Sequence, residues 1–161
     1  MYMERPNKIE WYLQIAKDIA LRSPCISRRR FGAILVKDDA IISTGYAGTV
    51  RGAINCGIDC KCLKDLYNEK RNKSYEHCPS IHAEQNTIIN GARTGVSILG
   101  STLYLSETND NGDRPCYLCR RFLINSGIED CYYKKDNVVY HEFAKDWIKL
   151  EDEWINNQLN Q

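Results

Sequence analysis

Two short stretches of this chain carry residue types that can do chemistry together: Pro115-Cys116-Tyr117-Leu118-Cys119 and His82-Ala83-Glu84. Residues three apart on a helix share a face, so the thiols of Cys116 and Cys119 can grip one ion. A helix N-terminus stabilises thiolates through its unpaired N–H groups and its dipole. His82 would add a third ligand from a neighbouring helix. Three protein ligands leave a tetrahedral zinc one position for water, which marks a catalytic rather than a structural site. Glu84 is placed to take a proton from that water, whose pKa zinc lowers from ~15.7 to about 7. The chemistry these parts support is hydrolytic attack on an electron-poor ring carbon, with ammonia leaving.

The remaining cysteines agree with metal. Eight occur in 161 residues, at 25, 56, 60, 62, 78, 116, 119 and 131. The N-terminus, MYMERPNKIEWY, lacks the apolar core of a signal peptide, and no apolar run approaches the roughly 20 residues that span a bilayer. A cytoplasmic location and no membrane partner follow by default, and there metal explains cysteines better than disulfides do. With 22 basic and 21 acidic side chains the net charge is +1, which argues against a broad nucleic-acid face. A local anion site remains open, and Arg28-Arg29-Arg30 is the obvious place for one. A hydrophobic share of 43% fits one soluble domain over residues 1–161.

Several elements must position these groups. Residues 9–22 place Ile9, Leu13, Ala16 and Ala20 at helical spacing, and Pro24 closes that helix. FGAILVK and AIISTGY predict a hairpin around Lys37-Asp38-Asp39, leading into the glycine-rich loop GYAGTVRGA at 45–53. Residues 55–78 read as irregular and in need of a staple. SIHAEQNTIINGAR predicts a helix opened by Pro79 and Ser80 with Gly91 near its end. STLYLSE predicts a strand, CYLCRRFLINSG a helix between Pro115 and Gly127, and EDCYYK a last strand. Phe143, Trp147, Leu150 and Trp154 mark a C-terminal amphipathic helix over about 143–158. Two crossover helices between strands imply a mixed sheet with helices on both faces, a three-layer α/β/α sandwich.

H-x-E followed by P-C-x-x-C is the signature of zinc deaminases. On HAE and PCYLC the chain resembles the cytidine/deoxycytidylate deaminase superfamily over about residues 8–135. GYAGTVRGA and CPSIHAEQN are most similar to segments of the deoxycytidylate (dCMP) deaminases. The resemblance implies the cytidine deaminase-like sandwich and a zinc hydrolase that converts a cytosine nucleotide, dCMP, to dUMP and ammonia, with Glu84 as proton shuttle. It also implies a second, structural zinc on Cys25, Cys56, Cys62 and Cys78, with Cys60 as alternate, and a homo-oligomer. Magnesium would enter only with a nucleoside triphosphate effector. The chain departs from the family pattern at Ala47, at Val50 and in a lengthened stretch before Pro115.

Other readings explain less. A CxxC redox pair leaves HAE unused, and a purely structural zinc leaves Glu84 without a task. Another small amino-heterocycle, a nucleoside or a tRNA base is the alternative substrate class. tRNA adenosine deaminases share both motifs but usually lack the extra cysteines. A zinc-stapled binding module is the non-enzymatic alternative. For substrate contacts, Tyr132 is the stacking candidate, with Tyr133 beside it, and Asn55 and Asn86 could bond sugar or base. Arg114 and the 28–30 run could meet a phosphate, and strand alternation from Phe31 favours Arg28 and Arg30 over Arg29. His77 and His141 read as ordinary histidines and Cys131 as core.

Overall fold

The computed structural model describes residues 4–67 and 77–160. Residues 68–76, within the stretch expected to be irregular, lie outside the described residues. Helix α1 (Lys8–Ala20) is opened by Asn7, whose side-chain oxygen accepts from the Glu10 N–H at 2.9 Å. Strands β1 (Phe31–Lys37) and β2 (Ala40–Tyr46) form the expected hairpin. Its two turn residues, Asp38 and Asp39, both have positive φ, as a turn matching the strand twist requires. The short β3 (Gly48–Thr49) pairs with β4 (Ser80–Ile81), and α2 (Leu63–Leu66) lies between them in sequence. Then come α3 (Ala83–Thr94), β5 (Thr102–Glu107), α4 (Tyr117–Asn125) and β6 (Asp130–Lys135). The chain finishes with β7 (Val138–Phe143) and α5 (Ala144–Leu159).

The main sheet has the order β2-β1-β5-β6-β7, with β5 and β6 parallel and the other neighbours antiparallel. This is the expected mixed sheet. Successive residues of each strand face opposite layers. On one side Ile34, Val36 and Tyr104 meet Tyr12, Leu13 and Ala16 of α1. On the other, Leu35, Leu103 and Leu105 meet Ala83 of α3, Leu123 of α4 and Trp147 of α5. Among the described residues no helix is long and apolar enough to cross a membrane.

Two sequence expectations need correction. The segment after EDCYYK is a strand, β7, that returns antiparallel on β6 through Asp136 and Asn137, both at positive φ. It is a mostly exposed edge strand, so its apolar residues do not advertise a buried face. Helix α3 begins later and ends later than its punctuation suggested. Ser80 and Ile81 pair with β3, His82 is the N-cap, and the helix stops at Gly95 (φ 70°), with Gly91 inside its buried face.

Gly45 sets how closely α3 lies on the sheet. A Cβ there would stand 2.4 Å from the Thr87 amide nitrogen and 2.7 Å from the Ala83 carbonyl oxygen. Both are backbone atoms of α3, so relief requires moving the helix that carries Glu84. Gly45→Ala is expected to cost about 1–3 kcal/mol through overpacking, lowering Tm by roughly 2–4 °C for each kcal/mol. Thermal unfolding followed by circular dichroism checks this, and an unchanged Tm would mean that α3 can shift freely.

Candidate active site

The C-terminal end of β5 and the N-terminal end of β1 lie side by side, since Phe31 pairs with Glu107. Helices α3 and α4 both start at this end of the sheet. His82 and Cys116 are their N-cap residues, each with extended backbone (ψ 155° and 163°). Their side chains therefore leave the helix tips and converge. Gln85 accepts from the His82 N–H at 3.1 Å, and Cys116 Sγ accepts from the Cys119 N–H at 3.4 Å. Both contacts hold the tips in place.

His82 Nδ1 lies 3.6 Å from Cys116 Sγ and 3.4 Å from Cys119 Sγ. Zn–N of about 2.05 Å and Zn–S of about 2.3 Å at a tetrahedral angle require a separation near 3.6 Å. Among the described residues these three make the one group of three or more potential ligands whose atoms all lie within 4.8 Å of one another. The donor set and its spacing fit zinc. Electrostatics prepares the site as well. The hydrogen bond from Cys119, with His82 assisting, pulls the Cys116 thiol down to about 3, while that same contact pushes Cys119 up. Burial would lower His82, but its bond to Cys116 and the charge of Glu84 hold it above the ordinary value.

Glu84 is buried, only 5% exposed, in the first turn of α3. Burial raises its carboxyl, and the His82 charge offsets part of that rise. It is within hydrogen-bonding reach of Cys119 and lines a cavity of about 470 Å³ that also touches His82 and Cys116. That volume suits a small-molecule site.

The lengthened loop closes one side. Glu107, 1% exposed, organises it by accepting from the Asn109 N–H at 2.9 Å and the Asn111 N–H at 3.3 Å. Lys17 bonds Asp110 from α1, and the Arg29 guanidinium donates to the Asn111 carbonyl at 3.1 Å. Asp113 and Arg114 then face the cavity.

The anticipated substrate contacts divide. Arg28 and Arg114 line the cavity, and Arg28 is ion-paired with Asp65 at 2.6 Å. Arg30 does not line it and reaches the Leu21 carbonyl at 3.5 Å, whereas Arg29 does line it. The 28–30 run precedes the first strand residue, so strand alternation does not govern it. Asn55 bonds Asp59 within its own turn, and Asn86 donates to the Tyr46 carbonyl at 2.8 Å, tying α3 to β2. Neither touches the cavity. Tyr132 faces the α1 layer, stacked between Tyr104 and His141 at 5.2 and 4.0 Å. Tyr133 takes the opposite face and donates to Glu142 at 2.7 Å. His141 pairs with Asp130, His77 stacks on Tyr67, and Cys131 is fully buried. Sequence reasoning passed over Phe31, Tyr117 and Arg120 as cavity residues. Arg120 was findable, because it sits four positions after Cys116 on the same helix face.

Cys25, Cys56, Cys62 and Cys78 all line this cavity and Cys60 does not. Cys25 Sγ is 3.7 Å from Ser80 Oγ, and Cys56 is hydrogen-bonded to Cys62. Burial alone would raise Cys62, but the Asp65 N–H at the start of α2, with Ser27 and Arg28, brings its thiol below the ordinary value. Ala47, at a departure from the family pattern, also lines the cavity, while Val50 is exposed.

Residues 6–135 match the family model described as the cytidine and deoxycytidylate deaminase zinc-binding region. A deoxycytidylate deaminase of Mycobacterium phage D29 is 34% identical over 137 residues, covering 84% of this chain and all of that one. ComE operon protein 2 of Bacillus subtilis is 30% identical over 89% of this chain and 67% of its own length. The crystal structure of dCMP deaminase from cyanophage S-TIM5 in apo form superposes with a TM-score of 0.60 at 27% identity, covering 84% of this chain and 90% of that one. The same phage enzyme is also known in complex with dCMP and dUMP, and that structure superposes with a TM-score of 0.56 over 79% of this chain and 80% of its own. The matched region contains β1 through β6 together with His82, Glu84, Cys116 and Cys119, and on that ground the chain belongs to the cytidine and deoxycytidylate deaminase family of zinc-binding enzymes.

Proposed function

We propose that the protein hydrolyses dCMP to dUMP and ammonia in the cytoplasmic nucleotide pool. The observation that carries this reading is the buried Glu84 beside a His82–Cys116–Cys119 ligand set at zinc spacing, in a cavity rich in arginine. Zinc held by those three residues supplies, when bound, the electrophilic activation that makes water a nucleophile at neutral pH. Glu84 takes a proton from the attacking water and delivers it to the pyrimidine ring nitrogen, then carries the second proton to the departing amino group. Its buried setting favours the protonated form and so eases the return of each proton. The cations of the cavity meet the phosphate. The dCMP named for the cyanophage relative supports the choice of nucleotide.

A second, structural zinc on Cys25, Cys56, Cys62 and Cys78 belongs to the same proposal. The shared cavity wall supports those four over Cys60. Their sulfurs are not drawn together within 4.8 Å as the catalytic ligands are, so this ion would gather them and brace the segment around α2. The chain as a whole serves as one catalytic domain. We further propose a homo-oligomer, supported by the exposed apolar side chains of Phe122 on α4 and Ile148, Trp154 and Ile155 on α5. Light scattering would reveal it.

Glu84→Gln is expected to retain zinc and fold while turnover of dCMP falls by roughly 10²–10⁴-fold. Ammonia release and elemental analysis of the purified variant check both halves. Near-normal turnover would remove Glu84 from its role.

Zinc content should be two ions per chain on this proposal, with Cys116→Ala losing the catalytic ion and Cys56→Ala the structural one. Cys56→Ala should also lower Tm more, because its ion braces a segment with little core of its own. One ion per chain, with Cys56→Ala as stable as the parent protein, would eliminate the second site.

Zinc affinity of the catalytic set should weaken as pH falls. Cys119 and His82 are both raised above their ordinary values, and each must shed its proton to bind metal. Competition titration with a chelator between about pH 8 and about pH 6 reads this directly, and a pH-independent affinity would contradict it.

A further inference from the structure

Five basic side chains line the cavity, namely Arg28, Arg29, Lys64, Arg114 and Arg120, against two carboxylates, Glu84 and Asp113. Their existing partners distinguish them. Arg28 is committed to Asp65 at 2.6 Å and to the Cys62 thiol, so although its Nε has no hydrogen-bond partner among the described residues its charge is already matched. Arg29 donates to the Asn111 carbonyl and lies over the Phe31 ring at 5.4 Å.

Arg120 has a different balance. One Nη donates to the Pro115 carbonyl at 2.9 Å, which folds the guanidinium back toward the start of α4, next to ligand Cys116. Its Nε is buried with no hydrogen-bond partner among the described residues. Burial and the nearby Arg114 charge work against its positive form, and Glu142, Glu151 and Cys116 offset part of that without an ion pair. Its neighbour Arg114 has Glu142 at 3.9 Å, the outer limit of an ion pair. The Asp113 carboxylate, which might have served both arginines, is turned to Lys135 at 3.3 Å. Glu142 is itself held by Tyr133 Oη at 2.7 Å and Trp147 Nε1 at 2.6 Å, so β7 and α5 fix the backing of Arg114. Two guanidinium groups thus stand together at one wall of the cavity, their positive charge only partly offset by Glu142 and Glu151. Like charges at close range repel, and a bound dianion turns that repulsion into paired, charge-assisted bonds.

We infer that Arg120, together with Arg114, forms the clamp for the 5′-phosphate of the nucleotide, on the α4 side of the cavity rather than on the Arg28 and cysteine side. This rests on the nucleotide reading above and deepens it. The base then lies over His82 and Glu84, and the phosphate projects toward the end of β7. Arg28 serves the segment around α2 instead, through Asp65 and Cys62. The clamp draws on a strand outside the region matched by the family model, because Glu142 lies beyond residue 135.

The experiment uses the zinc-loaded full chain. Arg120→Gln, Arg114→Gln and Arg28→Gln are compared for kcat/KM on dCMP and deoxycytidine, and for binding of dUMP and deoxyuridine by calorimetry. Losing one charge-assisted bond should lower kcat/KM for dCMP about tenfold or more, chiefly through KM, with dUMP affinity falling in parallel. Deoxycytidine and deoxyuridine should be affected far less. Arg120→Lys should recover part of the loss, since it restores charge without the planar fork. Zinc content and Tm are measured for each variant, and if Arg120→Gln fails to fold, Arg120→Lys and Arg114→Gln carry the comparison. Equal losses on nucleotide and nucleoside, in a protein that otherwise prefers dCMP, overturn the clamp and leave the nucleotide reading standing. The same holds if Arg28→Gln alone produces the selective loss. A wild type that treats dCMP and deoxycytidine alike overturns the nucleotide reading and the clamp with it.

Discussion

Everything at this site depends on two helix N-termini being held tip to tip. His82 and Cys116 are not helical residues but the caps from which α3 and α4 start, with extended backbone that throws each side chain off the end of its helix. Unpaired N–H groups and the aligned peptide dipoles make these tips electropositive. That is why a thiolate is comfortable there and why an ion can be shared between them. The tolerance is small. A shift of one turn in either helix, about 5.4 Å, exceeds the 3.4 to 3.6 Å that separates the ligand atoms.

The surrounding structure supplies that precision. Gly45 lets α3 press its backbone onto β2, which fixes the height of His82 and Glu84 above the sheet. Asn86 and Asn90 add hydrogen bonds to the Tyr46 and Thr44 carbonyls along the same contact, at 2.8 and 2.7 Å. On the other side, α4 is tied to α5 through Arg121, which bonds Glu151 twice and lies between the rings of Tyr117 and Trp154. Tyr117 also borders the cavity, so the C-terminal helix reaches the mouth of the site through one arginine. Glu107 plays the matching part at the end of β5, where its buried carboxylate gathers the amides of the following loop. A carboxylate is affordable in that position because these N–H groups replace the water it has lost.

Charge shows the difference between a protein and a site. The whole chain is close to neutral, at +1, yet basic side chains outnumber carboxylates on the cavity wall. Global balance argued against a broad nucleic-acid surface and was silent on a pocket for one small anion. Within the pocket the useful distinction is not which arginines are present but which are already neutralised. Asp65 pairs with Arg28, while the hydrogen bond of Arg120 goes to a carbonyl and Glu142 and Glu151 offset only part of what burial and Arg114 cost its charge.

Local spacing made much of this legible from sequence alone. The intervals within HAE and PCYLC, the hairpin turn at Asp38-Asp39, the stop of α4 at Gly127 and the mixed sheet all follow from contacts between residues near in sequence or from a single hydrophobic period, and the chain realises them. Which face a side chain takes is another matter. Tyr132 was the stacking candidate on paper, with Tyr133 beside it, and the pairing of β6 with β5 and β7 sent Tyr132 toward α1, away from the site. The 28–30 run was read by the rule for strands, but the ladder begins at Phe31, so Arg29 turned inward and Arg30 turned away. Asn55 and Asn86 were spent on backbone and turn contacts that no interval in the sequence announces. β7 escaped because an exposed edge strand buries little and so carries little pattern. The sequence determined which residues are candidate ligands and which helices bear them, since helical and strand periods are properties of neighbours. The tertiary structure alone decided which cations surround the pocket and how fully each is matched, since that depends on carboxylates brought from distant elements by packing.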